Sequence, residues 1–110
     1  MSPLVSVVIP NWNGAAHLPT CLDALRAQIF RDVEVIVVDN ASTDDSVELL
    51  GREYPEACVI RLDRNYGFTG ACNTGLRAAQ GEFLILLNDV ADDEACIAVA
   101  RRVLASLSQP

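Results

Sequence analysis

The sequence predicts an α/β domain of Rossmann-like, three-layer αβα architecture around a mainly parallel sheet. Two observations carry that prediction. Four short apolar, β-branched runs are each followed by a segment of helical periodicity. The runs are also nearly continuous in apolar residues rather than alternating, as in parallel strands covered on both faces. Val5 to Ile9 is the first run, closed by Pro10, and Leu18, Cys21, Leu22 and Leu25 then recur at helical spacing. Val33 to Val38 is the second, closed by Asp39-Asn40. After it, Ser42-Thr43-Asp44-Asp45 reads as an N-cap with acids in the first turn ahead of Val47 and Leu50. Cys58 to Leu62 is the third, and an Ala-rich helix from Thr69 to Gln80 follows, stopped by Gly81. Phe83 to Leu87 is the fourth. The stripe Ile97, Ala100, Val103, Leu104 and Leu107, behind acids at Asp92, Asp93 and Glu94, predicts a last helix.

The order is therefore βαβαβαβα, which right-handed crossovers convert into a sheet with helices on its faces. In such sheets ligands bind beyond the carboxyl ends of the strands. That rule gathers Pro10-Asn11-Trp12-Asn13, Asp39-Asn40-Ala41-Ser42, Asp63-Arg64-Asn65 and Asn88-Asp89 on one rim.

Composition narrows the chemistry. The 110 residues are 51% hydrophobic and 21% charged, enough apolar material for one small core. Apolar runs of about five residues are far below the ~20 that cross a bilayer, so an integral membrane protein is not expected. A net charge of −7 disfavours a nucleic-acid partner. All eight basic residues are Arg, which excludes Schiff-base chemistry and a P-loop lysine. Any anionic ligand must then be met by Arg, a helix N-terminus or a divalent cation. The four cysteines show no C-x-x-C pair beside a single His, so zinc is not expected. Cys21, Cys58 and Cys96 fall among apolar residues, which predicts reduced, buried thiols and a cytoplasmic chain, at most peripheral to the inner face of a membrane.

Several motifs fail. The loop after the first strand, Pro10-Asn11-Trp12-Asn13-Gly14, lacks the G-x-G-x-x-G of dinucleotide folds. Gly70 and Gly75 have Walker A spacing, yet Leu76-Arg77 stand where Lys and Ser or Thr are required.

Four segments in order, Val5 to Asn13, Val37 to Asp44, Asn65 to Gly75 and Gly81 to Asp89, strongly resemble family 2 glycosyltransferases. The Asp-Asn-Ala-Ser and Asn-x-Gly-Phe forms look most like the rhamnosyltransferase-like branch. The resemblance implies a GT-A fold, here a single truncated domain over residues 1–110 that is the amino-terminal, nucleotide-sugar-binding half. It implies a UDP- or dTDP-sugar donor and an unknown acceptor. In that reading Asp39 accepts a hydrogen bond from the base, with a local cap on Ser42 as its alternative role. Pro10 and Asn11 line base and ribose, and Trp12 packs beside them or anchors the core. Asn40 shares the rim with them, and Asn65 and Asn73 border the nucleotide or cap turns. Arg64 and Arg77 read as surface charge.

Asn88-Asp89 stands where the family carries its metal motif, which implies Mn²⁺ or Mg²⁺ held by hard oxygen ligands. The motif is one residue short, with Val90 two places after Asn88, so Asp89 is the principal ligand expected and Asp92 or Asp93 a substitute. Family members continue for about another hundred residues that carry the acceptor surface and general base, so no catalytic base is assigned. A missing carboxy-terminal half, or self-association through an uncovered sheet edge, is the partner this implies. The alternative is a non-catalytic nucleotide-binding remnant or interaction module of the same fold.

Overall fold

The structure is a computed structural model, and it describes residues 5–27 and 32–87. The order is β1 (Val5–Asn11), α1 (Leu18–Arg26), β2 (Val33–Asp39), α2 (Ser46–Glu53), β3 (Cys58–Arg61), α3 (Gly67–Ala78) and β4 (Phe83–Leu86). The four strands form one sheet in the order β3-β2-β1-β4, all parallel. The alternation of strand and helix thus gives the expected three-layer α/β fold. The expected helix over residues 92–107 lies outside the described residues.

β1 is one of the two inner strands and every residue in it is buried. Side chains alternate across it. Val5, Val7 and Ile9 join Val37 and the helix residues Leu18, Cys21, Leu22, Leu49 and Leu50 in one core cluster. Val8 joins Ile36, Val38 and Ala71 in a second on the opposite face. Burying each such side chain contributes about 1.5–3 kcal/mol, so β1, filled on both faces, is the main source of cohesion. α1 and α2 share one face and α3 takes the other. This follows from the strand order: the first two crossovers run one way, and the third returns past β2 and β1 to place β4 on the far side.

α3 lies close to the sheet because of Gly75. A Cβ there would collide with Val8 Cγ1 and come within 3.2 Å of Val38 Cγ2. The helix begins at Gly67, whose φ of 78° only glycine adopts freely. It therefore starts two residues earlier than the Ala-rich pattern suggests and ends at Ala78.

Three further expectations are corrected. The near-continuous apolar runs of β3 and β4 are not buried on both faces: β3 is exposed at Cys58 and Arg61, and Phe83, Leu84 and Leu86 of β4 are about half exposed. Each pairs on one side only among the described residues, so apolar composition reported strand propensity rather than depth. Cys58, at the start of β3, is accordingly exposed, while Cys21 and Cys72 are buried; all three are free thiols. Ser42 to Asp45 does not cap α2 as read. The helix waits until Ser46, where the Asp44 carboxylate, through Oδ1, accepts from the Ser46 N–H at 3.0 Å and from the Ser46 hydroxyl.

Candidate functional site

The β1–β2 register sets Asn11 directly opposite Asp39 at the carboxyl end of the sheet. Neighbouring strands lie about 4.8 Å apart, which brings the two side chains within bonding reach. Asn11 Nδ2 donates to Asp39 Oδ1 at 2.9 Å, and both residues are at most 2% exposed. The Ser42 hydroxyl donates to the same Oδ1 at 2.7 Å, and the Ser42 N–H donates to Oδ2 at 3.0 Å. The local cap on Ser42 is thus real, though it shapes the loop after β2 rather than the helix.

Asn13, which the sequence reading placed on the rim without a role, closes the network from β1's side. Its N–H donates to Ser42 Oγ at 2.9 Å, and its Oδ1 accepts from the N–H of Thr43 at 2.7 Å and of Asp44 at 3.1 Å. Asp44 Oδ2 returns the link by accepting from the Ala15 N–H at 3.1 Å. Burial alone would raise the Asp44 carboxyl, but the donors from Ser46 and Ala15 outweigh it and hold the group below its ordinary value. Asn13 at φ 52° and Ala41 at φ 61° are both left-handed. The Asn13-Gly14 pair was the available signal for a tight turn; its partners 29 and 30 residues away were not visible.

Asn40 reaches the other way. Its Oδ1 accepts from the Tyr66 N–H at 3.0 Å and its Nδ2 donates to the Gly67 carbonyl at 3.0 Å, which docks the start of α3 against the end of β2. Asn65 completes that turn by accepting the Gly67 N–H at 2.7 Å. Both amides therefore shape the entry to α3. Asn73 lies inside α3 and is exposed. Trp12 is 52% exposed, which removes its reading as a core anchor and leaves it on the rim beside Asn11; Tyr66 and Phe68 are also exposed at the entry to α3. The Arg64 guanidinium stacks over the Tyr66 ring at 4.8 Å. Pro10 sits one place past Ile9, beyond the last β1–β4 pair at Val8↔Leu86, so its missing N–H costs the ladder nothing on that side.

Among the described residues one enclosed side-chain atom lacks a hydrogen-bond partner, Asn11 Oδ1. Turning the amide over would set that oxygen against a carboxylate oxygen of Asp39, so the assignment is chemically forced. The described residues contain no group of three or more His, Cys, Asp or Glu able to hold a metal, and the ligands expected from sequence, Asn88 and Asp89, lie outside them. No described helix is long and apolar enough to cross a membrane.

The site therefore unites Pro10, Asn11, Trp12, Asp39 and Asn40 at the sheet's carboxyl end, next to the β1/β4 switch point where strand order reverses. The model of glycosyl transferase family 2 matches residues 6–106. The chain belongs to glycosyltransferase family 2. A relative from Mycobacterium bovis named PGL/p-HBAD biosynthesis glycosyltransferase is 37% identical over 95 residues, 84% of this chain and 36% of its own length. The chain thus spans about a third of that relative. S. aureus TarS 1-349 in complex with UDP-GlcNAc superposes with a TM-score of 0.73 at 27% identity, over 88% of this chain and 30% of that one. The mannosyltransferase PcManGT from Pyrobaculum calidifontis, in complex with GDP-Man and Mn²⁺, covers all of this chain and 34% of its own, with a TM-score of 0.68 at 29% identity. The structural neighbours are GT-A glycosyltransferases, and the four-stranded parallel sheet here is the corresponding Rossmann-like portion of that fold.

Proposed function

We propose that this chain supplies the donor half of a sugar transferase, holding a nucleotide-diphosphate sugar at the carboxyl end of β1 and β2. The observation that carries the reading is the buried carboxylate of Asp39, held by Asn11 and Ser42 at that sheet end. A carboxylate there is an acceptor for a ring N–H of the base. Pro10, Asn11 and Trp12 line the base and ribose, with Trp12 offering an exposed aromatic face. Asn40 and Asn65 act on the nucleotide by fixing the entry to α3, and Asn73 borders it from the helix.

A divalent cation, Mn²⁺ or Mg²⁺, belongs to this reading, with Asp89 and Asn88 as its ligands; support comes from the Mn²⁺ in PcManGT and from the oxygen donors those residues offer. Bound there, the cation would offset the diphosphate charge, which this acidic chain is poorly equipped to do otherwise.

Calorimetric titration of UDP, dTDP and GDP, with and without Mn²⁺, tests the reading on the wild type, Asp39→Ala and Asp89→Ala. Expected are metal-dependent binding to the wild type and a loss of affinity in both variants. A folded protein that binds none of the nucleotides under any condition abolishes the proposal and leaves the interaction module of the same fold.

A further inference from the structure

Trp12 is the first residue beyond β1, and it stands between two side chains that are tied down. Before it, Asn11 is 1% exposed and donates through Nδ2 to Asp39. After it, Asn13 Oδ1 accepts from the Thr43 N–H at 2.7 Å, the Asp44 N–H at 3.1 Å and the Thr43 hydroxyl at 3.3 Å, and the Asn13 N–H donates to Ser42 Oγ at 2.9 Å. Both neighbours are thus anchored to β2 and the loop that follows it, while Trp12 between them is 52% exposed. Successive side chains of a strand point to opposite faces, so an inward Asn11 sends Trp12 outward. The left-handed φ of 52° at Asn13 then ends the alternation and turns the chain toward α1. Asparagine enters that region more readily than other residues with a Cβ, and here the turn lets its amide oxygen bridge two backbone N–H groups. With half of its surface in water, the indole owes its pose to the backbone on either side of it more than to packing around it.

We propose that Asn13 is a positioning residue: by pinning the chain after Trp12 to the loop after β2, it holds the indole ready at the carboxyl rim as a stacking face for the nucleotide. Stacking is tolerant of the base, since every base has a π-face, so the device contributes to affinity without choosing among bases. A ring already ordered spares the complex the entropy of ordering it. The inference rests on the donor-site reading above for its ligand, whereas the hold of Asn13 on Trp12 is a property of the free chain.

That separation makes it testable, because Trp12 is the only tryptophan of the sequence and reports on itself by fluorescence. The experiment follows the time-resolved anisotropy of Trp12 emission in the free chain and titrates UDP and GDP with Mn²⁺, in the wild type, Asn13→Gly, Asn13→Asp and Ser6→Ala, with folding checked by circular dichroism. Asn13→Gly keeps the left-handed turn and removes only the bridging oxygen. It is expected to enlarge the nanosecond wobble of Trp12 and to weaken UDP and GDP alike by about tenfold, the cost of ordering roughly one residue on binding. Asn13→Asp keeps an oxygen in the same place and is expected to keep the wild-type anisotropy. Ser6→Ala, a loss of hydrogen bonds at the far end of the sheet, is expected to leave both readouts unchanged. If Asn13→Gly does not fold, Asn13→Ser, whose oxygen is one bond too short to bridge both N–H groups, carries the same expectations. Wild-type anisotropy in the folded variant lacking the bridge overturns the inference while the donor-site reading stands. So does an enlarged wobble with undiminished affinity, or an equal wobble in Ser6→Ala. A wild type that binds no nucleotide removes the donor-site reading and this inference with it.

Discussion

The two ends of the sheet are tied by the same kind of polar knot, and they differ in one respect. At the amino end Ser6 Oγ donates to Glu34 Oε2 at 2.6 Å and accepts from the Gly81 N–H at 2.8 Å, while Glu34 Oε2 also accepts from the Gln80 N–H at 2.8 Å. That knot joins β1, β2 and the approach to β4, and its backbone is unstrained. At the carboxyl end Asn11, Asp39, Ser42 and Asn13 make a larger network, yet it contains two non-glycine left-handed residues and one enclosed oxygen without a donor. A buried polar group without a partner costs about 1–3 kcal/mol. A left-handed alanine costs about 1–2 kcal/mol more. The strain and the unpartnered oxygen are thus confined to the end of the sheet at which the nucleotide site is proposed.

The sharpest way to break this comparison is to remove the centre of each knot. Asp39→Ala leaves Asn11 Nδ2 and both Ser42 donors without their acceptor, and should cost about 3 kcal/mol in denaturant unfolding and about 100-fold or more in nucleotide affinity. Ser6→Ala at the other end should cost about 1–2 kcal/mol and leave nucleotide affinity unchanged. Equal losses of affinity in both would mean that the two ends are not functionally distinct.

Gly75→Ala tests whether the close approach of α3 matters to both. The added methyl meets Val8 and Val38, and a loss of about 1–3 kcal/mol with an unchanged m-value is expected. Ala41→Gly goes in the opposite direction. Glycine relieves the left-handed strain at some entropic cost, for a net gain of about 0.5 kcal/mol by thermal unfolding.

The smallest effect is a pH dependence. The Asp44 carboxyl lies below its ordinary value in the folded chain, so its contribution is present above the unfolded value near about 4 and fades as pH falls through the folded one. Solvent screening at this exposed position limits it to about 0.5 kcal/mol. Asp44→Asn should therefore lower the melting temperature slightly at pH 7, and the difference from wild type should shrink in acid.

How much of this the sequence announced depends on range. The four strands were legible because β-branched runs are local, and the residues at their carboxyl ends were legible because connectivity places them there. The depth of each strand was not: β4 reads as apolar as β1, but of these two β1 alone is flanked by strands on both sides and covered on both faces among the described residues. In the site, Asp39 and Asn11 stood out by position. The roles of Asn13 and Asn40 did not, since each is defined by bonds to backbone groups some 26 to 31 residues away. The delayed start of α2 has the same origin. Ser42 to Asp44 carry ordinary capping residues, and Asn13 competes for their backbone donors.

The strand order also has a consequence during synthesis. Of the four described strands β1 is made first, yet its second neighbour, β4, begins at Phe83, and the Gly81–Ser6 bond that secures that side spans 75 residues. At roughly 5–20 residues per second, a strand apolar on both faces waits roughly 4–15 s for that neighbour to be made. Among the described strands, the one that bears Asn11 is thus the one whose exposure to chaperones and to other nascent chains lasts longest.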